Sequence, residues 1–415
     1  MSSETSNTSE PKLDLAKWAK LPNQLILGGG ILLLIGLLFP GWRDQVYYSY
    51  LTGFMFFLSL TLGSLFLVLL HHLFDAYWLV PVRRFLEHIA CLAPTMGLLF
   101  LPILVFSSKI YPWMSIDPNT DHALHVKVAL FNKPAFWITS ILLFVIWWWL
   151  SNSLRKHSLA QDETGAASHT HALRKLAAPG VIIFAFTLTL GVIFWMKSLE
   201  HQWFSTMYGV YYFAASVWVT LATTYVLTAI LQRTGHLAPV VTNNTYKDTG
   251  TLFFAFTVFY AYIHFSQYFL IWNAAIPEET FWYVKRENGI WKSLGYLIIF
   301  GHFFVPFLAM LRIDVKKSLT IMGPLAIWAW LMHYADMTYN IKPVLDPKGD
   351  GISLSGFVQS AAALAFMGGV LSRGFLKSFI THPPFPQKDP RIAEAMGVYV
   401  ELESEAANKT KSADA

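Results

Sequence analysis

Side chains that can carry protons recur at helical spacing inside some of the most apolar parts of the sequence. Tyr260, His264 and Gln267 stand at positions i, i+4 and i+7, which places them on one face of a helix. Ionisable groups are costly to bury within a membrane span, so each one is a functional candidate. This stripe therefore predicts a role in proton transfer or in contact with a quinone.

A second stripe is formed by His333, Asp336 and Asn340, again at helical spacing. A carboxylate one turn from an imidazole can fix the tautomer of that imidazole, which suits proton transfer near neutral pH. His302 lies in the segment between the two stripes, and Pro306 follows it by four residues. Because proline has no N–H, the His302 carbonyl loses its helical donor, and the sequence predicts a kink there.

The three segments are consecutive and are expected to run antiparallel. His264 and His302 would then lie at similar depth in the middle of the membrane, with His333 and Asp336 nearer the outer surface. Two alternatives stay open for these side chains. The imidazoles could simply hydrogen-bond across helices, or His264 and His302 could be the paired ligands of a haem b.

Charged and titratable residues also collect near the ends of two other apolar segments. At the inner end of the second segment, Ser64, His71 and Asp75 are expected to share a helix face. They are joined there by His72, Arg83, Arg84, Glu87 and His88. This inner group predicts either a point of proton uptake or paired charges that anchor the helix.

At the outer end of the fifth segment stand Lys197, Glu200 and His201. The stem of Lys197 is expected to lie along apolar surface with its ammonium group in water. This outer group could also receive a proton or a quinol hydroxyl.

The overall composition places all of these residues in a membrane protein. Of the 415 residues, 55% are hydrophobic and only 13% are charged, and 33 are Phe and 16 are Trp. Soluble domains carry about 25% charged residues, so the composition excludes a soluble enzyme, a disordered protein and a secreted disulfide scaffold. A single cysteine, Cys91, excludes an intramolecular disulfide and cannot alone hold an iron–sulfur cluster.

The apolar runs predict an all-α integral membrane protein with ten transmembrane helices. The first of these helices contains a glycine triplet at 28–30, which predicts close packing against another helix. Spans 2–5 and 6–9 are predicted to form two four-helix bundles, and the remaining two helices are predicted to be peripheral. The transmembrane domain at 24–376 is flanked by an N-terminal tail at 1–23 and a C-terminal tail at 377–415. The second tail is expected to be partly disordered. The predicted spans are 24–42, 47–73, 85–107, 134–152, 178–197, 208–231, 250–273, 291–311, 318–339 and 353–376.

The distribution of positive charge predicts the orientation. The side that holds both termini carries 20 of the 30 Lys and Arg residues, and 16 remain when the four of the distal C-terminal tail are left out, against 10 on the opposite side. Positive residues are enriched on the cytoplasmic side. Both tails are therefore predicted to be cytoplasmic.

Three stretches of sequence carry a family resemblance. They are VPVRR at 80–84 followed by LEHIACLAP at 86–94, SLEHQWFSTMYGVYYF at 198–213, and AYIHFSQYFLIWNAAIPEE at 261–279. They resemble the NrfD-like, polysulfide-reductase-type membrane subunits of alternative complex III, a bacterial quinol:cytochrome c oxidoreductase. The similarity extends from about the second to the ninth span and is closest to the smaller of its two ten-span subunits, the ActF type.

The resemblance implies a multi-pass subunit of the bacterial inner membrane that contributes to quinol interaction, to a transmembrane proton path, or to both. It implies no haem or iron–sulfur cluster in this chain and no nucleic-acid partner, with quinol or quinone as substrate. The redox centres would belong to a multihaem cytochrome c and an iron–sulfur subunit. A larger NrfD-like subunit and a terminal oxidase are further candidate partners.

The resemblance also singles out residues by motif match, and two other functions remain open. The matched residues are His264, Ser266, Gln267, Glu278, Glu279, Lys197 and Glu200. The first alternative is a structural membrane anchor without a quinone site. The second is a secondary transporter, although the sequence lacks the paired helix breaks in two halves that such proteins use.

Overall fold

The computed structural model describes residues 15–351 and 353–398 of the chain. The protein is 82% helical, and the described residues contain no strand. Helices are the expected solution because lipid offers the backbone no hydrogen-bond partners, so each segment must pair its own N–H and C=O groups. The prediction of an all-α membrane protein is confirmed. The predicted tail residues 1–14 and 399–415 lie outside the described residues.

Thirteen helices, labelled here in chain order, build the main body of the described chain. They are α1 (Leu15–Leu38), α2 (Arg43–Phe74), α3 (Val80–Ala90), α4 (Ala93–Val105), α5 (Lys133–Thr164), α6 (Ala167–Trp195), α7 (Tyr208–Arg233), α8 (Asn243–Ala274), α9 (Pro277–Arg286), α10 (Gly289–Leu297), α11 (Val305–Ala309), α12 (Leu319–Ile341) and α13 (Leu354–Ile380). Short helices at Ser107–Ile110, His122–Val126 and Ile392–Ala395 lie in the connections and the C-terminal segment.

Two of the predicted spans are not continuous α-helices. The third divides into α3 and α4 around Cys91, just before Pro94. The eighth is α10 followed by a π-helical turn at Ile298–Phe304 and then α11. In this turn the N–H of Val305 donates to the carbonyl of Phe300, so the irregularity predicted from Pro306 takes the form of a π turn.

Nine helical segments of the described residues are long and apolar enough to cross a membrane, one fewer than the ten predicted. The difference is α12, which has 23 residues but is less apolar, because its C-terminal half carries His333, Asp336 and Asn340. These three side chains are buried, and α12 packs against α2 and α7. Its polar residues therefore face protein rather than lipid.

The helices group around two central members, α2 and α7. The apolar windows of these two helices are 89% and 78% buried, respectively. α2 packs against α3, α4 and α6, α7 packs against α8 and α12, and the two central helices contact each other. A Cβ on Gly63 of α2 would lie 2.2 Å from Oγ1 of Thr220 in α7. Glycine is therefore required for this close approach.

The first and last long helices, α1 and α13, form a pair beside this core. A Cβ on Gly29 would lie 2.6 Å from both the carbonyl oxygen of Ala362 and the backbone nitrogen of Phe366. The close packing predicted from the glycine triplet is thus confirmed at Gly29. Gly28, its neighbour, has nothing within 4 Å of such an atom.

This asymmetry gives a matched test of the α1–α13 contact. Gly29→Ala is expected to destabilise the protein by about 1–3 kcal/mol, because backbone atoms cannot move aside for the added methyl group. Gly28→Ala should leave stability unchanged or slightly raised, since alanine favours helix. Thermal unfolding in detergent measures both, and equal effects of the two substitutions would contradict this packing.

Candidate functional site

The polar stripe of α12 is the centre of a buried hydrogen-bond network. Asp336 accepts a short hydrogen bond from the hydroxyl of Tyr211 in α7. Asn340 donates to the Tyr211 hydroxyl over 2.9 Å and to Oδ1 of Asp336 over 3.2 Å. The amide oxygen of Asn340 accepts from Tyr208 over 2.8 Å. One oxygen of the Asp336 carboxylate is thereby fixed in place.

His302, in the π-helical turn, lies between two aromatic rings. Its ring centroid is 3.7 Å from that of Trp218 and 3.7 Å from that of Tyr260, with 19° between the planes in each pair. The indole N–H of Trp218 donates to Thr257 over 2.8 Å, which fixes that ring. The Tyr260 hydroxyl lies 3.4 Å from that of Tyr211. π-Helical turns are frequent at functional sites.

The hydrogen-bond network of Asp336 and the aromatic stack around His302 meet at three fully buried side chains. His302, His333 and Asp336 each have 0% exposure, and one ligand atom from each lies within 4.8 Å of the others. The expected difference in depth between His302 and the other two groups is therefore wrong. His302 meets the α12 stripe, and its ring stacks on that of Tyr260, which lies 5.8 Å from the ring of His264.

A cavity of about 750 Å³ lies on the other side of Tyr260. Its walls are mainly aromatic and come from α8, α9, α10, the π turn and Tyr339 of α12. The side chains that matter for its chemistry are Tyr260, His264, Tyr268, Tyr283, Arg286 and Lys292. Small-molecule sites commonly have volumes of about 300–1,000 Å³ and apolar walls with a few polar groups.

One side of the cavity reaches the surface that faces lipid. Phe265 of α8 and Phe304 of the π turn line the cavity and are 63% and 41% exposed. The other end is polar and contains Arg286, Glu287 and Lys292. The cavity thus connects an apolar lateral opening with a polar end.

Arg286 organises that polar end and was missed in the sequence. Its guanidinium group lies 3.5 Å from the ring centroid of Trp282 and donates to the backbone carbonyls of Trp282, Tyr339 and Asn340. It also forms a 3.0 Å ion pair with Glu200. Glu200, a predicted site residue, is therefore a structural partner that ties the segment after α6 to α9.

Gln267 performs a similar positioning role on the predicted α8 stripe. It accepts a hydrogen bond from Ser205 over 2.9 Å and donates to the Tyr283 hydroxyl over 3.1 Å. Tyr283 lines the cavity. Tyr260 and His264 of the stripe thus line the cavity, and Gln267 contacts it through Tyr283.

The predicted inner group forms a network of charge pairs. His71 contacts Arg83 over 2.6 Å, and Arg83 pairs with Glu87 over 3.1 Å and with Asp389 over 2.5 Å. Asp75 lines the same small pocket as His71 and His72. It follows the last residue of α2 with a φ of 51°, and its carboxylate binds Arg174, with an N–O distance of 2.6 Å, and Arg391. These contacts favour the interpretation that paired charges anchor the helix. Through Asp389 and Arg391, they also attach the C-terminal segment to this end of the bundle.

Lys197, in the predicted outer group, is nearly buried and lies beside a second lysine. Burial, and then the neighbouring ammonium group of Lys127, lower the pKa of Lys197 to about 8. Both ammonium groups lie over the ring of Phe204, 5.4 Å and 3.9 Å from its centroid. Lys197 does not line the cavity, so the structure separates it from the α8 stripe.

The sequence did not single out Tyr208, Tyr211, Trp218 or Ser59, although all four contact the predicted residues. The signal available was the i, i+3 spacing of Tyr208 and Tyr211. Tyrosine and tryptophan in an apolar span are, however, common as packing residues.

Comparisons with known proteins add no relative. A scan of family models finds none that matches the chain, and a search of curated proteins finds no match.

The outer group supplies a pH test of its local structure. A hydrogen bond from His201, over 2.8 Å, lowers the pKa of Asp121 from 3.8 to about 2. Because the folded-state pKa is depressed, the stabilisation is complete above about pH 4 and is lost as the pH falls through about 2. Asp121→Asn should therefore lower the melting temperature at pH 6, and this difference should shrink below pH 4.

Asp117→Asn in the same loop is the matched control, because Asp117 bonds only locally to Asn119. A melting difference for Asp121→Asn that is the same at pH 3 and pH 6 would contradict the assigned hydrogen bond.

Proposed function

We propose that this protein is a membrane subunit of a bacterial respiratory quinol:cytochrome c oxidoreductase of the alternative complex III type, and that it binds quinol in the cavity beside α8. The observation that carries the proposal is the cavity itself, aromatic in its walls, open to lipid at one side and polar at one end. The family resemblance of the residues that surround it supports the same assignment.

A quinol matches these surfaces in each of its parts. Its flat ring can stack against the tyrosine side chains, since aromatic pairs favour offset and edge contacts at 4.5–7 Å. Its isoprenoid tail can leave between Phe265 and Phe304, both of which are exposed toward lipid. Its hydroxyl groups can hydrogen-bond to polar groups of the wall, among them His264 and Tyr283.

The proposed reaction releases two protons and two electrons from each quinol. His264 is the proposed proton acceptor, because its side chain lines the cavity and a neutral imidazole has a ring nitrogen that can accept a proton. The electrons would pass to haem and iron–sulfur centres in partner subunits. With both termini in the cytoplasm, the polar end of the cavity would lie toward the outer face, where those partners are expected.

Filling the cavity tests the proposal. Ala261 lines it, whereas Ala255, six residues earlier on α8, is exposed on the lipid-facing surface. Ala261→Trp is expected to weaken binding of a short-chain quinol analogue at least 10-fold, because the indole occupies the site of the ring. Ala255→Trp should bind normally. Fluorescence or calorimetric titration of the purified complex measures both.

Unchanged binding in Ala261→Trp would contradict a quinol site in this cavity. A different result would support the structural-anchor alternative. In that case neither the variants nor the parent protein would bind the analogue, although the assembled complex would show full turnover.

Removing the proposed proton acceptor gives a separate prediction. His264→Leu should lower quinol:cytochrome c turnover of the assembled complex by about 10²–10⁴-fold, the usual contribution of a general base. The subunit composition should stay unchanged, as measured by native gel and mass spectrometry. Full turnover in this variant would exclude His264 as the acceptor.

A further inference from the structure

The three buried groups beyond Tyr260 have a feature that quinol binding does not use. His333 contacts the hydroxyl of Ser59 over 2.8 Å through Nε2. Ser59 already donates its single proton to the carbonyl of Phe56 over 2.6 Å, so its oxygen must accept from His333. Nε2 of His333 therefore carries the proton, and Nδ1 of the neutral ring keeps a free lone pair.

Within the ranges that the structure describes, Asp336, like His333, is hydrogen-bonded through one of its two polar atoms only. Its Oδ1 atom accepts hydrogen bonds from Tyr211 and Asn340. Its Oδ2 atom is buried and has no partner among the described residues. The carboxylate is thus oriented through one oxygen and leaves the other one free.

His302 completes the set. Both of its ring nitrogens are buried without a hydrogen-bond partner in the described part of the chain, as is Nδ1 of His333. The rings of Trp218 and Tyr260 stack at 3.7 Å on His302 and restrict its rotation. Burial of unpaired polar atoms is unfavourable, so these atoms favour the presence of a ligand between the three groups.

We infer that His302, His333 and Asp336 form a binding site for a divalent transition-metal ion such as Zn²⁺. Two imidazoles and one carboxylate are a common three-residue ligand set that leaves a fourth position open. The outward atoms of His333 and Asp336 are held by Ser59, Tyr211 and Asn340, which is how metal ligands are usually oriented.

The geometry requires a modest closure of the site. Tetrahedral Zn²⁺ places its ligand atoms about 3.3 Å apart, and the widest separation here is within 4.8 Å. The ion would tie the π turn to α12, whose partner Ser59 belongs to α2. Because Asp336 would be a ligand, a bound ion would also close the proton path expected along the α12 stripe. The inference does not depend on quinol binding in the cavity.

Co²⁺ is the first probe, since its visible absorption reports tetrahedral coordination, and Zn²⁺ is then measured by displacement. The purified full-length protein is stripped with a chelator before titration. His157 and His169 form a second histidine pair, with 3.3 Å between their Nδ1 atoms, so both are replaced by Ala in the background protein. One equivalent of Co²⁺ is expected, with the intense absorption of a four-coordinate site.

Variants assign the ligands. His302→Ala and Asp336→Asn should each weaken binding at least 100-fold, and Ser59→Ala should weaken it about 10–100-fold through loss of the His333 orientation. His264→Ala is the matched control, a neighbouring histidine outside the set, and should bind normally. Ser59→Ala and Asp336→Asn keep the test decisive if His302→Ala fails to fold.

Two results would overturn the inference. One is a background protein that binds neither Co²⁺ nor Zn²⁺ below millimolar concentration, which would leave a water molecule as the shared partner of the three groups. The other is binding that persists unchanged in Asp336→Asn and Ser59→Ala, which would place the ion elsewhere.

Discussion

Polar side chains in this protein must find their partners inside the helix bundle, because the surrounding lipid offers none. This constraint explains why α12, which carries His333, Asp336 and Asn340, is surrounded by α2, α7 and the π turn. Asp336 and Asn340 can be tolerated there because Tyr208 and Tyr211 of α7 reach them. The close contact of α2 with α7 at Gly63 holds this arrangement together.

The same constraint separates two sites that share one wall. Tyr260 lines the cavity on one side and stacks against His302 on the other. The cavity opens toward lipid and suits a hydrophobic substrate, whereas the three groups behind it are sealed from solvent and suit an ion or a proton. Tyr260 is therefore the side chain that the cavity and the buried groups have in common.

Local spacing in the sequence predicted what lies on one helix, and the structure supports this for the α8 and α12 stripes. It could not predict which faces of different helices meet, and so His302 was expected at the depth of His264 and apart from His333 and Asp336, which it meets in the structure. Nothing in the sequence shows that α2 ends at Phe74, so the left-handed turn at Asp75, whose carboxylate pairs with Arg174 and Arg391, could not be predicted. Tyr211 lies within a segment that carries the family resemblance, but a tyrosine in an apolar span is hard to distinguish from packing.

Photolabelling with an azido-quinone tests the quinol-binding account most directly, because it reports where the ring of the quinone lies. After irradiation of the purified complex and digestion, the account predicts that the labelled peptides come from residues 260–268 of α8 and 283–304 of α9, α10 and the π turn. An excess of unlabelled quinone should remove this labelling. Labelling confined to other helices, or labelling that no competitor removes, would contradict quinol binding at this site.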